Sequence, residues 1–255
     1  MQNTTIAAQL YTIRDYTRTP RDIAVSLQKV RDIGYRAVQL SGLGPIEPSE
    51  LKRITDDLGL AICATHIAYE RMEKDLDKVI EEHSLYQCPC IGIGGLPGKY
   101  RNAEGYAQFA EEASKIAAVL AEAGFTFVYH NHSFELERFG DRTGLAVLYE
   151  DSDPAVFMAE IDTYWIQHGG GDPSAWISGL SGRIPVVHLK DMAVREGKPV
   201  MAEVGEGNLN WKSILSACSD AGVIWYIVEQ DNDFKVDPFE SLRVSYNNLL
   251  RMGLE

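Results

Sequence analysis

Several features are scarce or missing in this 255-residue sequence, and each excludes a class of protein. No apolar run approaches the roughly 18 residues that cross a bilayer as a helix. The first residues show no basic segment followed by an apolar one, so no secretory signal is expected. Lysine and arginine number 24 against 37 aspartates and glutamates, a formal net charge of -13. Such a chain lacks the basic stripe that binds a nucleic-acid backbone.

Cysteine is also scarce, with four residues at Cys63, Cys88, Cys90 and Cys218. Cys88-Pro89-Cys90 has the wrong spacing for a CxxC redox or zinc pair. The sequence therefore predicts reduced, buried thiols with a structural role. Together with the missing signal, this predicts a cytoplasmic protein.

Short apolar segments alternate along the chain with segments of helical periodicity. Apolar residues make up 45% and charged residues 24%, as in an ordinary globular protein. The first helical segment, 21–33, is followed by Gly34 where a C-cap is expected. The predicted strands are 6–10, 37–40, 60–66, 90–93, 125–132, 157–162, 185–189 and 223–229. The predicted helices are 21–33, 48–59, 72–85, 102–123, 144–152, 176–180, 211–221 and 238–252.

Eight such strand–helix units follow one another at intervals of roughly thirty residues. Continuous apolar strands are typical of a parallel sheet buried on both faces. Because no linker rich in proline or serine divides the repeats, we predict a single (β/α)8 TIM barrel domain over 1–255. An open, doubly wound sheet is the alternative, and the missing GxGxxG turn after the first strand disfavours it.

Polar side chains occur at the ends of most of these strands. Chemistry in a TIM barrel lies at the C-terminal ends of the strands, and a buried polar group needs a bonding partner. An Asp/His/Glu set such as Asp162, His188 and Glu229 suits a borderline or hard divalent ion. The candidate residues at strand ends are Gln9, Gln39, His66, His130, His132, Asp162, His188, Lys190 and Glu229.

Residues 129–135 form the densest polar cluster. Side chains alternate along a strand, so His130 and His132 share one face, which we expect to be the inner one. Glu135 follows in the loop, where it can bond a histidine nitrogen or a substrate hydroxyl. Two glycine-rich stretches have predicted roles. Residues 168–172 are predicted to form either a lid or a plain connection, and residues 205–207 are predicted to approach a polar ligand.

Four motifs together resemble one known family. They are YHNHSFE at 129–135, EID at 160–162, RIPVVHLKD at 183–191 and GEG at 205–207. The combination is similar to the sugar phosphate isomerase/epimerase family, of the xylose isomerase-like TIM barrel superfamily, over essentially the whole chain. The resemblance implies one divalent cation held by a Glu/Asp/His/Glu set, often Mn²⁺, with Mg²⁺, Co²⁺ or Zn²⁺ as alternatives. Asp162, His188 and Glu229 match the second to fourth ligands, and His130 stands where the family has the first glutamate.

The resemblance further implies a metal-dependent isomerase or epimerase that acts on a ketose or keto-sugar through an enediolate. The alternative is a lyase or dehydratase that uses the same enolisation on an inosose-like or 3-keto-glycoside substrate. His132, Glu135 and Glu229 are the candidates for proton transfer, and Lys190 for stabilising an anionic oxygen. The expected substrate contacts are His66, Arg14 and Gln9.

Two other classes of protein are alternatives to this hypothesis. An endonuclease IV-like repair enzyme shares the barrel, but the acidic charge and the missing multi-zinc ligands count against it. A non-catalytic sugar-binding protein would keep the same pocket. No basic cluster accompanies 205–207, which favours a free sugar or polyol derivative over a phosphate ester. The expected partner is therefore a small-molecule sugar, with neither nucleic acid nor membrane, and homo-oligomerisation is left open.

Overall fold

Eight parallel strands close into a barrel in the computed structural model, which describes residues 5–254. The strands are β1 (Thr5–Gln9), β2 (Ala37–Leu40), β3 (Ala61–His66), β4 (Cys90–Ile93), β5 (Thr126–His130), β6 (Arg138–Phe139), β7 (Arg142–Thr143), β8 (Phe157–Asp162), β9 (Val186–Leu189), β10 (Asp191–Arg195), β11 (Lys198–Ala202) and β12 (Trp225–Val228). The barrel order is β1-β2-β3-β4-β5-β8-β9-β12, and β12 pairs back with β1. The predicted TIM barrel is confirmed and the open sheet is excluded.

Helices follow the barrel strands and cover the outside of the barrel. They are α1 (Pro20–Ile33), α2 (Pro48–Leu58), α3 (Tyr69–Tyr86), α4 (Gly105–Glu122), α5 (Gly144–Asp151), α6 (Thr163–His168), α7 (Pro173–Gly179), α8 (Trp211–Ala221) and α9 (Pro238–Arg251). The side chain of Thr19 caps α1, whose C-cap is Gly34 as the sequence predicted. No helix within residues 5–254 is long and apolar enough to cross a membrane.

The inside of the barrel changes from apolar to polar along the strands. A cluster of mostly small apolar residues fills its lower part: Ala7, Ala37, Cys63, Ala64, Cys90, Val128, Val186 and Ile227. Because side chains on one face of a strand recur every two residues, the next inward position is two residues on. That position is polar on six strands: Gln9, Gln39, His66, His130, His188 and Glu229. The strand pattern itself therefore places a polar layer at the C-terminal end of the barrel.

The four cysteines are all buried and none forms a disulfide, in agreement with the sequence. Cys63 and Cys90 lie in the small-residue cluster inside the barrel. Burial raises the pKa of each thiol above its ordinary value. Protonated, buried thiols are poor nucleophiles and poor metal ligands, so their role is packing.

Two elements near the site were not predicted. Helix α6 begins directly after β8, and β10 pairs with β11 as an antiparallel hairpin. The hairpin turns at Glu196 and Gly197, which both have positive φ. Such a pair is typical of a two-residue hairpin turn, so the dipeptide was the available signal. The glycines of 168–172 form a short connection between α6 and α7.

Candidate metal centre

A cavity of about 420 Å³ opens at the C-terminal ends of the barrel strands. This volume is within the range of small-molecule sites. Six residues that the sequence predicted line its wall: Arg14, His66, His130, His132, Lys190 and Glu229. The structure thus brings most of the predicted site together.

The four predicted ligands meet at the floor of this cavity. His130, Asp162, His188 and Glu229 are all buried, and each offers one ligand atom within 4.8 Å of the others. His188 Nδ1 lies 2.9 Å from Glu229 Oε2 and 3.9 Å from Asp162 Oδ2. His130 Nε2 lies 3.3 Å from Asp162 Oδ2 and 4.0 Å from Glu229 Oε2. Four side chains from four strands therefore converge on one point.

These residues fit a divalent cation. Two imidazoles and two carboxylates form a mixed nitrogen and oxygen set suited to a borderline or hard divalent metal. Metal–ligand bonds of about 2.0–2.2 Å place ligand atoms roughly 3–4 Å apart. The separations found between these four side chains agree with that spacing.

Asp162 is held in place from its own strand and from the next helix. Its Oδ1 accepts from the backbone N–H of Trp165 at 2.9 Å, which makes Asp162 the N-cap of α6. Its backbone N–H donates to the side-chain oxygen of Asn131 at 3.0 Å. The side chain of Asn131, which lies between His130 and His132 in the sequence, therefore fixes the strand end that carries the candidate ligand Asp162.

Lys190 places a buried positive charge beside the ligand carboxylates. Its Nζ lies 3.1 Å from Asp162 Oδ2, 2.8 Å from Glu229 Oε2 and 2.9 Å from Asp231 Oδ2. Burial favours the neutral amine, but the three carboxylates outweigh it and raise the pKa of Lys190. The lysine therefore stays charged and offsets part of the negative charge of the site.

Asp231 also lines the cavity, although it was not predicted from the sequence. Burial, together with Glu229, raises the pKa of Asp231 to about 6. It stands two residues after Glu229, and this spacing was the signal that could have revealed it.

His132 faces the cavity as a neutral ring. Burial and the neighbouring His130 lower the pKa of His132 to about 3. Two glycines of the loop after β4 make room for the histidines. A Cβ at Gly94 would lie 3.2 Å from His66 Nδ1, and one at Gly95 would lie 3.1 Å from His132 Cε1. The β4 loop is therefore shaped around these two imidazoles.

A second polar residue that the sequence reading missed is Glu160. Its Oε1 accepts from Gln39 Nε2 at 2.8 Å, and its Oε2 contacts His66 Nε2. The Gln39 carbonyl oxygen in turn lies 2.6 Å from His188 Nε2. Glu160 stands two residues before Asp162 on the same face of β8, and a charge within an apolar strand was the available signal.

Gln9 and Glu135 are predicted site residues that belong neither to the cavity wall nor to the cluster of four predicted ligands. Gln9 is fully buried below the cavity, where it donates to Gln39 Oε1 at 2.7 Å and accepts from the N–H of Tyr11. Glu135 accepts from the Tyr129 hydroxyl at 2.7 Å and from the backbone N–H of His132 at 2.9 Å. In this structure both residues make supporting contacts, and the substrate contact of Gln9 and the proton transfer by Glu135 stay predictions.

The glycines of 205–207 serve a buried carboxylate rather than a ligand. Asp191 accepts from the N–H groups of Gly205 at 2.9 Å, Gly207 at 3.1 Å and Leu209 at 3.2 Å, and from the Trp211 indole at 2.6 Å. A Cβ at Gly207 would lie 2.3 Å from Asp191 Oδ1. The interpretation of this stretch as a ligand loop is corrected by these contacts.

The family model described as "Xylose isomerase-like TIM barrel" matches residues 27–244. The chain belongs to this family. The rhizopine catabolism protein MocC of Rhizobium meliloti is 26% identical over 274 residues, which cover 89% of this chain and 80% of that protein. An inosose dehydratase of Geobacillus thermodenitrificans is 26% identical over 147 residues, 50% of this chain and 48% of the relative.

The fold of this xylose isomerase-like barrel also matches solved structures. A sugar phosphate isomerase/epimerase from Parabacteroides distasonis superposes with a TM-score of 0.83 at 22% identity, covering 100% of this chain and 96% of that one. The similar proteins therefore include both a dehydratase and an isomerase/epimerase. The barrel is shared between these two kinds of reaction.

The buried Glu135 predicts a pH dependence of stability in this family member. Burial raises the pKa of Glu135 from its ordinary 4.5 to about 7, although its hydrogen bonds favour the charged form. The stabilisation from the protonated carboxyl is complete below about pH 4.5 and is lost as the pH rises through 7. The shift corresponds to about 3 kcal/mol.

We expect Glu135→Gln to remove this dependence. Relative to the wild type, the variant should gain about 3 kcal/mol in free energy of unfolding between pH 4.5 and pH 8. Urea unfolding at both pH values measures the difference. Glu122→Gln, at the exposed end of α4, controls for the loss of one carboxylate. If the difference in free energy of unfolding between Glu135→Gln and the wild type is the same at pH 4.5 and pH 8, the raised pKa of Glu135 is contradicted.

Proposed function

We propose that this protein is a divalent-metal-dependent enzyme that isomerises or epimerises a ketose or keto-sugar. The observation that carries the proposal is the convergence of His130, Asp162, His188 and Glu229 at the floor of the cavity. Mn²⁺ is the proposed cation, with Mg²⁺, Co²⁺ or Zn²⁺ as alternatives. When bound, it would polarise a substrate carbonyl and stabilise the charge that develops there.

The residues around the cavity supply the remaining functions. Glu229 and His132 both line it and are the proposed groups for taking and returning a carbon-bound proton. Lys190 Nζ is placed to stabilise an anionic oxygen next to the ligand carboxylates. His66 and Arg14, which also line the cavity, are the proposed contacts for substrate hydroxyl groups.

Arg14 is held at the rim by the chain itself. Its guanidinium donates to the Asp231 carbonyl at 2.9 Å and stacks 4.3 Å from the centre of the Tyr11 ring. Both contacts fix the charged Arg14 side chain at the mouth of the cavity. They place a single positive charge there rather than a cluster. This arrangement supports a free sugar or polyol derivative as the substrate rather than a phosphate ester, and a small molecule as the partner.

A lyase is the second candidate, and the partial similarity to an inosose dehydratase favours it. Removal of the same carbon-bound proton, followed by loss of a β-oxygen, would give elimination instead of isomerisation. An inosose-like compound or a 3-keto-glycoside is the substrate class for this reaction. The same residues would serve both reactions.

Solvent exchange tests the proposal and separates the two reactions. Mn²⁺-loaded protein is incubated in D₂O with a panel of ketoses, inososes and 3-keto-glycosides, and the products are followed by NMR and mass spectrometry. Deuterium at the carbon next to the carbonyl, in a product of unchanged composition, supports isomerisation or epimerisation. A product that has lost water or the aglycone supports the lyase.

Variants make this experiment specific to the site. Glu229→Gln and His132→Gln should both lose exchange, whereas Glu203→Gln, a buried glutamate bonded to Ser241 outside the cavity, should keep it. If no panel compound exchanges with any of the four cations, the enzymatic proposal fails. Binding of a sugar without exchange would instead identify a sugar-binding protein.

A further inference from the structure

The layer of side chains below the cavity is connected through Glu160, which has no part in the proposed reaction. Glu160 is fully buried on β8 and contacts side chains from three other strands. Gln39 of β2 donates to its Oε1, His66 of β3 meets its Oε2, and Nε2 of His188 on β9 lies 3.2 Å from its Oε1. One carboxylate thus lies between a residue of the cavity wall and one of the predicted metal ligands.

The direction of each hydrogen bond in this layer follows from the chemistry of the groups. An ionised carboxylate only accepts, so Gln39 must turn its NH₂ group toward Glu160. The carbonyl oxygen of Gln39 then points the other way. It accepts from Gln9 Nε2 at 2.7 Å and lies 2.6 Å from His188 Nε2. Because a carbonyl cannot donate, His188 must carry a proton on Nε2.

Because Nε2 of His188 carries this proton and donates it to Gln39, Nδ1 is the nitrogen that faces the predicted ligands. With Nε2 donating to Gln39, the opposite nitrogen, Nδ1, points to Glu229 at 2.9 Å. Metal-ligating histidines generally carry such a partner on their second nitrogen, and the partner fixes the orientation of the ring. Glu160 therefore acts on His188 in two ways: directly, since its Oε1 lies 3.2 Å from His188 Nε2, and through Gln39.

The same carboxylate acts directly on His66. With Nε2 donating to Glu160, the Nδ1 atom of His66 lies on the side of Gly94, a residue of the cavity wall. A nitrogen without a proton there accepts a hydrogen bond from a substrate hydroxyl.

We propose that Glu160 is a positioning residue that keeps the Nε2 protons of both His66 and His188 and so turns both Nδ1 atoms toward the cavity. One carboxylate then sets the substrate-facing nitrogen and the metal-facing nitrogen together. The part that concerns the metal rests on the proposed function, whereas the proton positions do not.

The first test uses the metal-free wild-type protein. Long-range ¹H–¹⁵N NMR correlations of ¹⁵N-histidine-labelled protein show which ring nitrogens carry protons. We expect protons on Nε2 of both His66 and His188. An unprotonated Nε2 on either histidine overturns the proposal, whether or not any variant folds.

The second test uses Glu160→Gln, in which one acceptor oxygen becomes an NH₂ donor. The new amide cannot accept from His66 on one side and from Gln39 and His188 on the other at once, so the contacts on one side must reverse. Either His66 loses its Nε2 proton, or Gln39 turns its own NH₂ group to His188 and that ring loses the proton. Retention of both Nε2 protons in the variant overturns the proposal.

Metal affinity is the independent readout. Calorimetric titration with Mn²⁺ should show binding to Glu160→Gln weakened about 10–100-fold, the usual effect of losing a partner of a metal-bound histidine. The matched control is Glu203→Gln, which also removes a buried carboxylate but does not touch the layer. An equal loss in the control overturns the positioning role. If the wild type binds no Mn²⁺, the proposed function fails, and the NMR result still decides the role of Glu160.

Discussion

Replacing Lys190 by methionine is expected to lower the free energy of unfolding of the metal-free protein by about 3–5 kcal/mol. The ammonium group is fully buried and lies within 3.1 Å of oxygens from Asp162, Glu229 and Asp231. Methionine fills a similar space but leaves three carboxylates without their shared cation. Removing one partner of a buried ion pair costs much more than losing an exposed pair.

Urea unfolding with and without Mn²⁺ measures this effect. Because a bound cation replaces part of the missing charge, Mn²⁺ should raise the free energy of unfolding of Lys190→Met more than that of the wild type. Lys115→Met is the matched control, since Lys115 forms an exposed pair with Glu111 on α4 and should change stability by less than about 1 kcal/mol. A Lys190→Met protein as stable as the wild type in metal-free buffer would refute the balancing role of the lysine.

Asp162→Asn is expected to weaken Mn²⁺ binding by about 100-fold and solvent exchange into substrate by about 1000-fold, with the fold retained. Asparagine keeps the side-chain oxygen that caps α6 at Trp165. It replaces the charged Oδ2, which lies 3.3 Å from His130 Nε2 and 3.1 Å from Lys190 Nζ. The loss therefore concerns the charge of the site rather than the start of the helix.

A second N-cap aspartate supplies the control for this variant. Asp172 caps α7 by accepting from Ser174 N–H at 2.9 Å and is not part of the cavity wall. Asp172→Asn should leave Mn²⁺ affinity and exchange unchanged. Calorimetry and exchange in D₂O compare the two variants. Wild-type exchange by Asp162→Asn would rule out its role as a ligand.

Most of the barrel could be predicted because the same physical pattern recurs eight times. The boundaries were less accurate: β5 was predicted over 125–132 and is found at Thr126–His130. After His130 the chain leaves the ladder, although the polar alternation continues through His132. Alternation shows which side chains share a face, but it does not show where the strand pairing ends.

The site shows the same limit. Asp162, His188 and Glu229 were recognised because each follows an apolar run, and the structure brings them together as expected. Glu160 was overlooked because its partners come from β2, β3 and β9, and only closure of the barrel makes those contacts. The polar side chain of Gln9 at the end of the first strand predicted a position at the C-terminal end of the barrel. Sequence alone does not show whether such a residue lines the cavity or lies in the layer beneath it.

The glycines that make room for the site also restrict how it can change in evolution. A methyl group at Gly94 would press on His66, and one at Gly95 on His132. Among relatives, alanine at Gly94 is therefore expected where His66 has been replaced by a smaller side chain, whereas the φ of +149° at Gly95 disfavours a side chain there in any case. Substitutions in the β4 loop and at the end of β3 are then expected to occur in pairs.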